Sequence, residues 1–122
     1  MDFKLDTDAV KQAGDTLTQQ CHGASASAGW WTGPDAYNIL DALRGAKTKF
    51  DRWIAGLVFS QKLMLTVSEA AESMEGDRKS LPDDKLPQYP MRVVELADLV
   101  IRAGDLAGAV IPPDAGYTFG EI

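Results

Sequence analysis

Trp30-Trp31-Thr32-Gly33-Pro34-Asp35 is the stretch whose reading decides the fold. It joins a helix breaker to a helix starter. Gly33 has no Cβ and permits backbone angles that other residues avoid. Pro34 suits the first turn of a helix, where its missing N–H goes unneeded. Thr32 and Asp35 stand in capping-box spacing, a hydroxyl for orphan N–H groups and an acid three residues on, although Glu or Gln is the commoner partner. Trp31, just before the cap, is placed to pack against the helices on both sides. These six residues predict the hinge of a helical hairpin.

On the N-terminal side, residues 1–5 are predicted to fray and Asp6 to cap a first helix. Val10, Ala13, Leu17, Cys21, Ala24 and Ala28 recur at spacings of three and four, which makes one narrow helical stripe. Its residues are mostly small, so the helix buries little apolar area and is not stable alone. Small residues do allow another helix to approach closely. The Ala- and Ser-rich segment from Gly23 to Gly29 ends it loosely.

On the C-terminal side, a second helix is predicted from Pro34 to about Glu75. One heptad series reads Ala36, Leu43, Phe50, Leu57, Met64, Ala71, and the series three residues later reads Ile39, Ala46, Trp53, Ser60, Val67, Met74. Eleven of these twelve positions are apolar, a coiled-coil-like seam. Such a helix would be roughly 60 Å long, which in a chain of 122 residues predicts a hairpin, not a globule. Gly45 and Gly56 interrupt it at about 1 kcal/mol each and mark candidate close contacts. Gly76, with Pro82 beyond it, is the predicted stop. Val58, Phe59 and Leu65 lie off the seam. Either a third helix covers them or a partner does.

Residues 77–89 form a polar, proline-bearing linker. A third helix follows, from Pro90 to about Leu106. Arg92, Glu95, Asp98, Arg102 and Asp105 make one polar stripe with internal opposite-charge pairs. Most of the remaining girth is apolar, Val94, Leu99 and Ile101 included, and such a helix is usually buried on several sides. A two-helix hairpin offers only one groove, so a second chain is expected. Its predicted interface is Val58, Phe59, Leu65, Val94, Leu99 and Ile101. The tail from Ile111, with Pro112-Pro113, Gly116 and Gly120, is predicted to be irregular. The organisation is therefore all-α: a hairpin over 1–76, a linker over 77–89, and a third helix and tail over 90–122.

Apolar residues are 45% of the chain, ordinary for a globular domain, and the net charge is −6. That charge argues against a nucleic-acid partner and against electrostatic attachment to anionic lipid. No basic segment and apolar run opens the sequence, so no Sec-type leader is expected, and no run of about 18 apolar residues predicts a membrane span. Cys21 is the single cysteine, so no internal disulfide can form. His22, the single histidine, points about 100° away from Cys21 on a helix. Cys21 lies on the apolar stripe and reads as an inert buried thiol. One His and one Cys make no ordinary metal site. Asp83 and Asp84 read as solvated, and no Gly-rich phosphate loop is present. The residues predict no enzyme, no cofactor, no metal and no small-molecule substrate.

Trp31-Thr32-Gly33 between two helices, in a chain this small, resembles the WXG family of type VII secretion proteins. Gly33-Pro34-Asp35-Ala36 looks like that family's small-residue helix start, and Phe50, Trp53 and Leu57 resemble its apolar spine. The likeness covers about residues 5–76. It implies a non-enzymatic antiparallel hairpin with Trp31, Thr32 and Gly33 at the bend, working as a homo- or heterodimer. It also implies export through the type VII apparatus without a cleaved leader, in some members as targeting or chaperone partner of an effector. The family's export signal, Tyr-x-x-x-Asp/Glu, normally follows the second helix, where this sequence has Met74 and Arg78. The same spacing occurs at Tyr37/Asp41, the wrong end of the helix, and at Tyr117/Glu121, a possible displaced signal. The third helix also departs from a minimal member.

The preferred expectation is a WXG-like partner of another helical protein, such as an effector's N-terminal region, or of itself. It is made in the cytoplasm and exported by a type VII route. Two alternatives stay open: a cytoplasmic immunity protein that binds and inhibits a toxin, and a self-contained three-helix module.

Overall fold

A computed structural model describes residues 2–122; Met1, part of the stretch predicted to fray, lies outside the described residues. Among these residues the protein is all-α. Its helices are α1 (Thr7–Ser27), α2 (Ile39–Gly45), α3 (Lys49–Lys79) and α4 (Met91–Val110), with 3-10 turns at Pro34–Ala36 and Phe119–Glu121. None of these helices is long and apolar enough to cross a membrane.

Three of the helices start on a side-chain cap. The side chains of Asp6, Asn38 and Thr48 each accept the N–H three residues on, at 3.0 Å in every case. The second and third of these caps break the helix predicted from Pro34 to Glu75. Ala46 and Thr48 are extended, so α3 begins only at Lys49 and is about 46 Å long. Heptad spacing runs through this break because apolar periodicity is blind to caps. The reciprocal capping box sought at Thr32/Asp35 forms instead at Thr118/Glu121; Thr48 is an N-cap alone, since the Asp51 carboxylate accepts from Tyr37.

Around Pro34 the chain makes a closed loop. Gly33 N–H donates to the Tyr37 carbonyl at 2.8 Å, Ile39 N–H donates to the Trp31 carbonyl at 3.3 Å, and Thr32 bridges Asn38. The left-handed residues are Asp35 and Ala36, at φ 54° and 58°, a strain on the order of 1 kcal/mol each. Gly33 itself sits at φ −86° and uses no special backbone freedom. Its glycine serves a close approach, because a Cβ there would lie 3.3 Å from the Tyr37 Cβ. The Tyr37 hydroxyl donates to Asp51 at the start of α3, and that carboxylate pushes the phenol pKa up to about 12.

Past Gly76, α3 continues to Lys79 and ends on Ser80 in the left-handed region, at φ 52°. Gly76 is therefore not the stop. It is buried, and a Cβ on it would lie 2.8 Å from the Met91 Cβ, so its glycine lets the start of α4 close onto α3. Asp83, read as solvated, is buried as well. Its Oδ2 accepts the Lys85 and Leu86 N–H groups at 3.0 and 2.8 Å, which folds the loop over its own backbone.

The antiparallel pair is α3 with α4, and α4 separates α3 from α1. α1 packs on α4 through Gly104 and Gly108, where added Cβ atoms would lie 3.4 Å from Cys21 Sγ and 2.5 Å from His22 Cβ. Gly45 and Gly56, predicted contact points, have no such neighbours. The tail is not loose either. It returns to α1, where Gly120 N–H donates to Asp15 at 2.8 Å and Lys11 pairs with Glu121 at 3.5 Å. The buried apolar set among the described residues is small: Trp31, Ala42, Leu106 and Ala109.

These glycines give opposite expectations. Gly56→Ala, in an open helical position, should raise stability by about 1 kcal/mol. Gly108→Ala should lower it by about 1–3 kcal/mol through overpacking against His22. Urea midpoints at constant m-value measure both.

Candidate functional site

The corner gathers one polar side chain from every α-helix. Trp31 is 3% exposed, and its Nε1–H donates to Asp105 Oδ1 of α4 at 2.9 Å. His22 Nδ1 of α1 meets the same oxygen at 2.9 Å. The imidazole stands edge-on to Trp31, with ring centroids 5.8 Å apart. Arg44 of α2 donates from Nε to the Ala109 carbonyl at 2.8 Å and from Nη2 to the Gly108 carbonyl at 3.1 Å. It thereby caps carbonyls that the end of α4 leaves unpaired. Its Nη2 also lies 3.5 Å from His22 Nε2. Lys62 of α3 places its ammonium 4.8 Å from the Trp31 ring centroid. Both His22 nitrogens have partners, and burial followed by the Asp105 charge raises the Cys21 thiol pKa. This geometry fastens helices together and keeps Cys21 in the unreactive thiol form.

Outside the corner, apolar residues face outward. Phe50, Trp53, Leu57, Met64, Val67 and Met74, six members of the heptad seam, are 51–70% exposed. On α4, Val93, Leu96, Val100 and Ile101 are 45–52% exposed. The polar stripe of α4 lies toward α3 instead: Arg92 pairs with Asp77 in an exposed bridge and Arg102 with the buried Glu69, at 2.7 and 2.6 Å. The polar stripe thus lies on the face in contact with α3, and its opposite charges pair across that contact and not within the stripe. Of the predicted interface residues, Val58 packs against the Trp31 cluster, so for it the internal alternative holds. Val94 and Leu99 are half-buried, while Phe59 and Leu65 remain 39% and 37% exposed. Tyr117 is exposed. Glu121 closes the turn by accepting from Thr118 N–H, and the turn begins only after Tyr117, so the two do not share one helical turn.

Where α3 meets α4, three carboxylates gather. One oxygen from each of Glu69, Glu95 and Asp98 lies within 4.8 Å of the other two. The Glu69 carboxyl beside it pushes Glu95 up to about 8, helped by burial and by Glu72. For Glu69, burial alone would raise the pKa, but hydrogen bonds with Glu95 and Arg102 outweigh it and hold the group below the usual range.

No family model matches the chain, and no curated protein or solved structure matches it either.

Sequence reasoning passed over Asp105 and the carboxylate cluster. The signal for the first was present. A buried indole N–H needs an acceptor, and a carboxylate between Gly104 and Leu106 on a largely apolar helix is a suitable one. Nothing in the spacing placed Glu69 opposite Glu95, because that depends on the register of α3 against α4.

Trp31→Ala should lower stability by about 3–5 kcal/mol. Of the three tryptophans, only Trp31 should resist acrylamide quenching, since Trp30 and Trp53 are 66% and 61% exposed. The Glu69–Glu95 pair sets a pH dependence, with Glu72, Asp98 and Arg102 the charged groups that face it. The folded pKa of Glu95 lies above its unfolded value, so its contribution is full below about 4.5 and is lost as pH rises through about 8. Glu69 acts in the opposite sense, losing its contribution as pH falls below the carboxylate range. In EDTA, the melting temperature should fall between about pH 5 and pH 8. Glu95→Gln should flatten that slope.

Proposed function

We propose that the chain is a WXG-like, non-enzymatic helical protein of a type VII secretion system that acts by docking. It pairs with another helical protein, such as the N-terminal region of an effector, or with a second copy of itself. The mechanism is burial of apolar helix faces, with no chemistry. The observation that carries this reading is the uncovered surface. The chain exposes 8736 Å², whereas a compact monomer of 13.2 kDa exposes about 6,400 Å². The difference, roughly 2,300 Å², is the amount an obligate dimer buries per partner. The heptad seam of α3 and the outer face of α4 supply apolar residues to that area.

Trp31-Thr32-Gly33 at the bend after α1 supports the family reading, and the split of α2 from α3 and the insertion of α4 depart from it. The displaced motif at Tyr117/Glu121 is folded against α1, which favours carriage by a partner's signal over one of its own. One observation favours the self-contained module: α4 fills the space between α1 and α3. Against it stand the six exposed seam residues.

The test uses the tagged chain in its native host, with and without a working type VII apparatus. One helical protein should co-purify in a fixed ratio. The double variant Leu57→Asp, Met64→Asp should lose that partner while keeping its helix content. The chain should reach the medium only when the apparatus works. No co-purifying partner, together with a distribution indifferent to the apparatus, contradicts the proposal.

A further inference from the structure

The carboxylate cluster between α3 and α4 contains a group that the chain itself leaves unsatisfied. Glu69 and Glu95 are each 8% exposed, and Glu95 Oε2 is sealed from solvent with no N–H or O–H donor beside it; its contact with Glu69 is a hydrogen bond only while the pair holds a proton. A buried carboxylate oxygen in that condition is costly, and native proteins almost always supply a partner. Arg102 does not supply it: its Nε bonds Glu69 Oε1 at 2.6 Å, and none of its other N–H groups reaches Glu95 Oε2. The orphan belongs to a side chain whose ligand oxygen lies within 4.8 Å of oxygens from Glu69 and Asp98. Glu95 and Asp98 are three residues apart on α4, so they present to one side, facing Glu69 of α3.

We propose that Glu69, Glu95 and Asp98 form a divalent-cation site and that its ion is calcium. The donors are all carboxylate oxygens, which select hard cations over zinc or copper. Size then discriminates among the hard ions. Calcium holds oxygens at about 2.3–2.6 Å, so ligands on opposite sides of it stand up to about 5 Å apart. Oxygens within 4.8 Å of one another fit that sphere without movement. Magnesium demands near-ideal octahedral geometry at about 2.0–2.1 Å and gives up its waters reluctantly, which suits three carboxylates fixed on two packed helices less well. Asp98 is only half-buried and leaves a side from which water completes the shell. Three protein ligands place the affinity in the weak class, with Kd about 10⁻⁴–10⁻³ M. The bound ion staples α3 to α4, beneath the outward apolar faces. This site stands whether or not the docking reading does.

The experiment is thermal unfolding and calorimetric titration of the full chain, stripped with EDTA, in buffer of about pH 8 where protons compete least. Calcium chloride should give a saturable heat and raise the melting temperature by about 5 °C at ten times Kd. Magnesium should raise it by less. Asp98→Asn, at a partly exposed position, should fold and lose most of the calcium response; Glu95→Gln should lose it too. No saturable response up to about 5 mM calcium overturns the site, as does an undiminished response in Asp98→Asn. Equal responses to magnesium and calcium overturn the choice of ion. If Glu95→Gln alone raises the melting temperature of a chain that ignores calcium, the missing partner is a proton and the proposal is wrong.

Discussion

A tryptophan cannot be buried cheaply unless its indole N–H finds an acceptor. In this chain the acceptor is a single oxygen of Asp105, and that bond governs the orientation of α4. Arg92, Glu95, Asp98, Arg102 and Asp105 recur every three or four residues, so a rigid helix carries them on one side. Once Asp105 faces Trp31, the rest of the stripe faces the molecule as well. Arg102 reaches Glu69, Arg92 reaches Asp77, and Glu95 is enclosed. Leu106 and Ala109 still join the core and Val94 and Leu99 stay half-buried, but Val93, Leu96, Val100 and Ile101 are left facing solvent.

That inversion explains the small core. The buried apolar cluster consists of Trp31, Leu106 and Ala109, edged by Ala26, Ile39, Leu40, Leu43, Val58 and Val110. It sits at one end of the α3–α4 hairpin, where α1, the closed loop and α2 converge. Along the rest of α3 the contact with α4 is made largely by ion pairs and carboxylates, and the heptad seam points elsewhere. Polar interactions in this setting fix register more than they stabilise. The corner supplies the packing, the salt bridges set the alignment, and the outward surface supplies the docking.

The sequence showed its helices more clearly than their pairing. Asp6 announced the start of the first helix, and the residues around Gly33 announced a break after it, because caps and helix breakers act locally. Asn38 and Thr48 are equally good caps, yet a strong apolar repeat from Leu43 to Met74 masked them. From Phe50 to Met74 the repeat is an exposed stripe, whereas Ile39 and Leu43, before the break, pack on the Trp31 cluster. The pairing was hidden because the lone tripeptide implies that α1 lies along the following helix. Gly104 and Gly108 instead draw α1 onto α4, and only the lack of room for a Cβ beside Cys21 and His22 reveals it. Asp83 and the Glu95 cluster were illegible for a related reason: loop closure and helix register decide whether an acid is solvated or enclosed.

The central claim is that the outward apolar faces are unfinished surface. Sedimentation equilibrium of the chain alone, from about 1 to 100 µM, tests it most directly. Association above the 13.2 kDa monomer mass, abolished by a charge placed at Leu57, is the predicted result. A monomer across the whole range that binds no hydrophobic dye would contradict it, and α4 would then have to be regarded as sufficient cover for α3.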